Sequence, residues 1–220
     1  QLDEAQEIAR RLQIQPHSST FGGVWQGLTW AAEDWSAHTA IDAKTLVQVV
    51  GRATELPEGF ALHRTLQRMV KARRAMAAGE EKVDWGCAEM MAFGSLLMEG
   101  VPVRLTGQDS QRGTFAHRHA AWHDVETGAV HVPLQHLSRD QAEFAVINTM
   151  LSELAVLGFE YGISAADPRR LVVWEAQFGD FVNGAQMIID QFLSSGEAKW
   201  QRMCGLVLFL PHGYEGMGPE

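Results

Sequence analysis

Near-continuous apolar runs alternate with helical patterns in the second half of the chain, and this alternation limits the fold more than any other feature. Strand-like runs occur at 101–105, 144–147, 171–174 and 206–210, and helical patterns at about 84–99, 152–166 and 182–194. Strands of this kind, joined by helices, are typical of βαβ units, in which a parallel sheet is covered on both faces. We therefore predict an α/β fold, a three-layer parallel sheet with helices on both faces. A small hairpin or edge strand is predicted near 130–132.

The first sixty residues lack this regular alternation. We expect residues 1–60 to form a linker or arm and residues 61–220 to form the domain, truncated at its C-terminal end. Within the arm, a short amphipathic helix is predicted at about 2–13, and tryptophans lie among small and polar residues at 25, 30 and 35. A second helix is expected after Asp42, whose carboxylate is a suitable N-cap.

A third helical pattern, from about 62 to 76, carries a basic face. Its members are Arg64, Arg68, Lys71, Arg73 and Arg74. Because charged residues opposite an apolar stripe usually face water, we interpret all five as a solvated helix face.

Charge and cysteine content exclude several classes of function. The net charge of −9 and a pI near 5.5 give no general attraction to nucleic acid or to anionic lipid. Cys87 and Cys204 are far apart and have no metal-ligand spacing, which favours a reducing compartment. The longest aliphatic run, 206–210, is too short to cross a bilayer. We therefore expect neither nucleic acid nor a membrane as a partner.

Two polar segments follow predicted strands, where open α/β sheets bind their ligands. The first contains His117, His119 and His123, a spacing that raises the alternative of a metal site. No cysteine or evenly spaced carboxylate completes a ligand set, and Arg118 puts a cation between two of the imidazoles. We therefore predict no metal ligands here, and the imidazoles with the neighbouring arginines better suit an anionic substrate.

The second segment, 174–181, combines a carboxylate, a glycine and two phenylalanines. Phe178 and Phe181 are either core residues or rings on which a ligand stacks. Asp180 is most simply an N-cap, and Glu175 could pair with an arginine.

Glu153 lies in the first turn of an otherwise apolar helix. Its carboxylate either complements the helix dipole or holds a ring nitrogen of a heterocyclic ligand and moves its proton.

Taken together, these motifs closely resemble the decarboxylating first component of the 2-oxoglutarate dehydrogenase complex. The resemblance is nearly continuous from about Val83 to Glu220. It is carried by 101–120, Leu151-Ser152-Glu153, 174–181, Ile189-Asp190-Gln191-Phe192, 194–200 and Leu210-Pro211-His212-Gly213-Tyr214-Glu215-Gly216. It implies a transketolase-like pyrimidine-binding domain that shares thiamine diphosphate with a second α/β domain. The family's magnesium motif does not occur in these residues, so the magnesium ligands are expected outside them.

The resemblance also implies a role for individual residues. Glu153 corresponds to the glutamate that bonds the aminopyrimidine, Phe178 or Phe181 to the ring stacked on it, and Gln186 to a further polar contact. His117 and His119 correspond to imidazoles on the substrate side, with Arg118 between them as a substrate-binding residue. Which histidine takes which role stays open.

The activity that follows from the resemblance is oxidative decarboxylation of 2-oxoglutarate, with transfer of the succinyl group to a lipoyl group on the dihydrolipoyl succinyltransferase component. Two alternatives remain, a sister enzyme acting on 2-oxoadipate and a non-catalytic assembly module of the same fold. A homodimer is expected, located in the cytoplasm of a bacterium or the mitochondrial matrix of a eukaryote.

Overall fold

The structure, a computed structural model, describes Glu7 and residues 23–28 and 32–213, in two compact units, 1–35 and 36–220. In the first unit, Gly23–Trp25 forms a turn of 3-10 helix and the Trp25 side chain is buried, whereas Trp35 is exposed. Trp30 and, apart from Glu7, the helix predicted at 2–13 lie outside the described residues.

The second unit begins with three helices, and the first starts after its predicted N-cap, Asp42. They are α1 (Ala43–Ala53), α2 (Arg64–Ala77) and α3 (Trp85–Met98). Asp42 accepts a hydrogen bond from the Thr45 backbone nitrogen at 2.9 Å, and Asp84 accepts one from that of Cys87 at 2.7 Å. Val50 and Ala53 of α1 are fully buried in the same core as α3. The second compact unit begins after Trp35, and α1 contributes to its core.

Four parallel strands form the main sheet, and two short strands form a hairpin. In chain order they are β1 (Val103–Gly107), β2 (Trp122–His123), β3 (Val130–His131), β4 (Phe144–Asn148), β5 (Leu171–Glu175) and β6 (Val207–Phe209). The sheet has the order β4-β1-β5-β6, and β2 pairs with β3 in an antiparallel hairpin. Both the parallel sheet and the hairpin confirm the prediction.

The two faces of the sheet are covered by different elements. One face presents Val103 and Phe144 to a core shared with α1 and α3. The other presents Trp174 to Val156 and Leu157 of α4 (Glu153–Ala166). The three-layer α/β architecture predicted from the alternation is thus confirmed.

The prediction of one regular α-helix at 182–194 is wrong. The chain instead forms a 3-10 helix at Gly179–Ala185, a single α turn, α5 (Gln186–Ile188), and a π turn at Ile189–Leu193, before α6 (Gly196–Trp200). The Ser194 backbone nitrogen and hydroxyl both donate to the Ile189 carbonyl, at 2.9 Å each, which closes the wider turn. Hydroxyls that compete for backbone carbonyls and glycines with low helix propensity both disfavour a continuous α-helix here.

The basic face of α2 is not uniformly solvated, which corrects the interpretation of that helix. Arg73 is 4% exposed, and its Nη2 donates to the carbonyls of His117 at 3.1 Å and Arg118 at 2.8 Å. The pKa of Arg73 is lowered, chiefly by burial. The helical spacing placed Arg73 correctly on the polar face, but that face is covered by a loop forty residues further along the chain.

Candidate functional site

The two candidate segments follow neighbouring strands and meet at one end of the sheet, here called the carboxyl edge. Gly107 ends β1 beside Glu175, which ends β5. A β-carbon on Gly107 would lie 2.3 Å from the Glu175 carbonyl oxygen, so only glycine allows this approach. Beyond the strands, the Thr114 hydroxyl donates to the Gln177 carbonyl at 2.6 Å and ties the segments together.

The loop 108–120, here the histidine loop, is folded back on itself. The backbone nitrogens of Arg118 and His119 both donate to the Arg112 carbonyl, at 3.1 and 2.9 Å. Ala116 and His119 adopt left-handed backbone conformations, with φ of 53° and 45°. Such conformations are uncommon without glycine and persist where surrounding contacts impose them. The loop therefore presents its imidazoles in a conformation that the rest of the fold holds.

The structure places Arg118 in a buried ion-pair cluster. Its guanidinium donates to the Glu89 carboxylate at 2.5 and 2.8 Å, and to the Glu175 carboxylate at 2.7 and 2.7 Å. The Ser110 carbonyl accepts a further bond from Nη1 at 2.9 Å. Burial lowers the pKa of Arg118, but the hydrogen bonds to both glutamates outweigh it, and the pKa lies above its ordinary value. The pairing suggested for Glu175 is confirmed, whereas Arg118 is engaged away from solvent, which does not favour direct substrate contact.

His117 and His119 are both half-buried and keep their neutral forms more readily than a free histidine. Burial lowers the pKa of His117, and the Arg118 cation lowers it further. Burial also lowers the pKa of His119, with added contributions from Arg73 and Arg112. A neutral imidazole can accept a proton, and the imidazolium formed in this way can return it, as proton transfer with a substrate would require.

Glu153 occupies the first turn of α4 at the carboxyl edge, half-buried. Its Oε1 accepts a hydrogen bond from Gln108 Nε2 at 3.0 Å, and a β-carbon on Gly184 would lie 3.5 Å from its Oε2. Gln108 comes from the histidine loop and Gly184 from the segmented helix at 179–193. Glu153 thus lies where three elements converge, which a role limited to the helix dipole does not require.

Three phenylalanine rings form a cluster in the loops that follow β1 and β5. Phe178 contacts Phe115 and Phe181 edge-to-face, with ring centroids 6.2 and 5.9 Å apart. Phe115 and Phe181 are each 38% exposed, so part of both rings is open to a ligand. Gln186, in α5, donates its side-chain amide to Asp190 at 2.7 Å.

Several buried polar atoms at the carboxyl edge have no partner among the described residues. They are Thr106 Oγ1, Ser110 Oγ, His117 Nδ1 and Asp180 Oδ1. Asp180 is therefore not the N-cap that was predicted, since Phe178 occupies the cap position without a side-chain bond. Buried polar atoms normally have hydrogen-bond partners. Their concentration after β1 and β5 indicates that this edge is completed by a group from outside these residues.

Three residues of the site were not identified from the sequence. Gln108 had a weak signal, as a polar residue directly after a buried strand. Glu89 had a clearer one, since it is the only charged residue in the otherwise uncharged α3. The ring of His212 lies against Gly179, where a β-carbon would be 2.0 Å from its Cε1.

The comparisons with known proteins agree with this geometry. Residues 81–220 match the family described as transketolase, pyrimidine binding domain. The chain belongs to this family. Similar curated proteins include three named "2-oxoglutarate dehydrogenase E1 component". They come from Brucella anthropi (53% identity, 90% of this chain, 20% of the relative), Rickettsia conorii (48%, 100% and 23%) and Brucella ovis (53%, 90% and 20%).

This pyrimidine-binding domain spans about a fifth of the length of the curated relatives it matches. Within the described residues, no three histidine, cysteine or acidic side chains lie close enough together to hold a metal ion. Among the same residues, no helix combines the length and the apolar character needed to cross a bilayer.

Proposed function

We propose that this chain is the pyrimidine-binding part of a thiamine diphosphate-dependent enzyme that decarboxylates 2-oxoglutarate. The observation that supports it most is that Glu153, hydrogen-bonded to Gln108, and the Phe178–Phe181 pair all lie at the carboxyl edge of a transketolase-type domain. The names of the similar bacterial proteins supply the substrate.

In this proposal each residue at the edge has a defined task toward the cofactor. Glu153, oriented by Gln108, bonds a ring nitrogen of the aminopyrimidine, and Phe178 or Phe181 packs on the face of that ring. Gln186 gives a further polar contact to the cofactor when its side-chain amide no longer donates to Asp190. When bound, thiamine diphosphate would stabilise the negative charge that loss of carbon dioxide leaves on the former keto carbon, while the protein supplies orientation and charge. The magnesium that accompanies the diphosphate takes its ligands from outside these residues.

On the substrate side, His117 and His119 bind the distal carboxylate of 2-oxoglutarate or move protons near it. Their half-buried positions and lowered pKa values suit proton transfer near neutral pH. Arg118 adds positive charge close to His117, although both of its paired carboxylates keep its guanidinium engaged. The four-carbon product then passes to a lipoyl group on the succinyltransferase component of the complex.

The fold also supports a homodimer. The outer face of α4 consists of uncharged residues exposed at helical spacing, namely Ala155, Phe159, Gly162 and Ala166. Phe159 is 57% exposed, and Leu151 and Met150 just before the helix are exposed as well. An uncharged, exposed helix face of this kind fits an interface between subunits. We place the protein in the bacterial cytoplasm, in line with the bacterial origin of its relatives.

The test is an assay of the full-length protein with thiamine diphosphate and magnesium, using 2-oxoglutarate and 2-oxoadipate in parallel. Glu153→Gln keeps the size of the side chain but removes its proton-transfer ability, so turnover should fall by at least about 100-fold. Glu197→Gln, which changes a first-turn glutamate on α6, is the matched control and should retain turnover.

Three other outcomes of this assay would change the proposed function or the role of Glu153. Preference for 2-oxoadipate would identify the sister enzyme. Tight cofactor binding without decarboxylation of either acid would favour the assembly module. Equal turnover in wild type and the Glu153 variant would leave this carboxylate with a helix-dipole role only.

A second test addresses the dimer. A Glu153→Gln subunit mixed with a subunit inactivated only in its diphosphate-binding part should recover some activity, because one site in the mixed dimer is intact. An active monomer in sedimentation, or no recovery after verified mixing, would contradict the dimer.

A further inference from the structure

We propose that Glu89, on a helix outside the cofactor-binding edge, is a positioning residue that fixes the imidazole of His117 through Arg118. This inference rests on the proposed function, since it assigns His117 a part in the reaction. It adds α3 to the elements that determine the site.

The first step is that Glu89 holds the guanidinium of Arg118 at both of its carboxylate oxygens. Its side chain is 16% exposed and accepts from Arg118 Nε and Nη2 in a bidentate pair. Planar pairs of this kind fix the orientation of a guanidinium as well as its position. Glu89 is the only charged residue in α3, whose other side chains pack mainly in the apolar core. The carboxylate is therefore held on a rigid element.

The second step is that every N–H donor of the Arg118 guanidinium is hydrogen-bonded. A guanidinium has five N–H donors, and here two go to Glu89, two to Glu175 and one to the Ser110 carbonyl. Glu175 ends a central strand, so Arg118 is held between that strand and α3. Losing one carboxylate would free two donors and allow the guanidinium to tilt.

The third step links this fixed cation to His117. Arg118 Nη2 lies 3.4 Å from His117 Nε2, so this nitrogen of the imidazole lies directly beside the cation. On its other side the ring packs against Gly113, where a β-carbon would lie 2.5 Å from Cε1. The imidazole is therefore held between the guanidinium and a glycine backbone, and movement of either would move the ring.

The backbone of His117 is held by the same helical layer. A β-carbon on Gly86 of α3 would lie 2.1 Å from the His117 carbonyl oxygen, so that oxygen sits directly on the helix. Arg73 of α2 donates to the same carbonyl. With the backbone fixed in this way, the orientation of the His117 ring depends on the position of the Arg118 guanidinium. Glu89 helps to fix that position through its two hydrogen bonds to the guanidinium.

The experiment is a double-mutant cycle in the full-length enzyme, loaded with thiamine diphosphate and magnesium. Glu89→Gln should lower kcat/KM for 2-oxoglutarate about tenfold in the wild-type background, as other outer-shell partners do. In a His117→Ala background the same change should cost less than about twofold, because the ring that it positions is gone. Glu99→Gln, an exposed glutamate just after the same helix, should change neither background.

Equal factors in the two backgrounds, or an unchanged kcat/KM in a folded Glu89→Gln protein, would overturn the proposal. If Glu89→Gln gives no soluble enzyme, Glu89→Asp enters the same cycle, because it keeps the charge and withdraws the carboxylate. Failure of both variants to fold would assign Glu89 a purely structural role and also overturn the proposal.

A readout without substrate separates this inference from the proposed function. In histidine-labelled full-length protein, the Cε1 resonance assigned to His117 should shift in Glu89→Gln and stay unchanged in Glu99→Gln. An unshifted resonance would refute the positioning role whatever the enzyme's activity. A shifted resonance in a protein that does not decarboxylate 2-oxoglutarate would instead refute the proposed function alone.

Discussion

The histidine loop, 108–120, and the phenylalanine segment, 176–193, follow adjacent strands but are held in different ways. Charged side chains from α2, α3 and β5 fix the loop after β1, and Arg118 is 5% exposed within them. The segment after β5 is joined to the chain largely through its backbone, by bonds from Ala176 to Phe209 and from Gly179 to Pro211. It contains a π turn, a buried Asp180 Oδ1 without a partner among the described residues, and the exposed ring of Phe181.

This difference indicates that the domain orders the histidine loop by itself, whereas the phenylalanine segment is completed by a bound group. The histidine loop has its imidazoles in place in the described residues alone. Both regions keep buried polar atoms without partners among the described residues, at Ser110 and His117 in the loop and at Asp180 in the segment. Among these residues, buried ion pairs hold the loop and not the segment, so we expect the cofactor to order the phenylalanine segment more than the loop.

The largest expected effect is loss of the buried cation. Arg118→Met leaves two buried carboxylates without a partner, so the histidine loop should lose about 3–5 kcal/mol of local stability. Hydrogen exchange of peptides covering 108–120 in the full-length protein measures this. Arg112→Met removes an exposed pair with Asp109 in the same loop and should cost at most about 1 kcal/mol. Equal losses of stability in the two variants would mean that the buried Arg118 cluster holds the loop no more firmly than the exposed Arg112–Asp109 pair.

A second comparison uses one glycine from each region. Gly113 has φ of 80° and lies against the half-buried His117 ring, so Gly113→Ala should cost about 1–3 kcal/mol. In Gly179→Ala the new methyl group meets His212, an exposed side chain that can move aside. Thermal unfolding of both full-length variants should show the larger loss for Gly113→Ala. The reverse order would mean that the phenylalanine segment is the more rigid of the two.

A third prediction tests whether the phenylalanine segment awaits the cofactor. Phe178→Leu and Phe181→Leu should weaken thiamine diphosphate binding by up to about tenfold, since ring contacts contribute about 0.5–1.5 kcal/mol. Calorimetric titration of the full-length protein measures the affinity. Phe192→Leu alters an aromatic cluster with Tyr161 and Trp200 and is the control. If all three variants bind equally well, neither Phe178 nor Phe181 stacks on the cofactor.

The smallest effect concerns pH. His117 and His119 have lowered pKa values in the fold, so protonating them disfavours the folded state. The resulting loss of stability begins near the unfolded pKa of about 6.5 and ends below the folded pKa values. The Tm should therefore fall between pH 7.5 and pH 5 by more in wild type than in His117→Gln/His119→Gln. The control variant His38→Gln, at an exposed histidine, should show the same fall in Tm as wild type. If the double variant His117→Gln/His119→Gln shows that same fall, the effect does not come from these two histidines.

How far the sequence predicted the structure depended on how local the signal was. Strands β1, β4 and β5 and helix α4 were found because apolar periodicity and the Ser152 cap are local features. The burial of Arg73 and the Arg118–Glu89–Glu175 cluster were not, because each partner lies tens of residues away. The segmented helix was missed because serine-to-carbonyl bonds, rather than apolar spacing, determine its π turn. Glu153 was predicted as a site residue, but its contact with Gln108 required the fold.

The most direct test of the account is a crystal structure of the full-length protein with thiamine diphosphate and magnesium. We predict that a Glu153 carboxylate oxygen lies within hydrogen-bond distance, about 2.6–3.2 Å, of an aminopyrimidine ring nitrogen. The ring of Phe178 or Phe181 should pack on the same heterocycle. An aminopyrimidine bound elsewhere, or a Glu153 carboxylate still bonded only to Gln108, would contradict the assignment of this edge as the cofactor site.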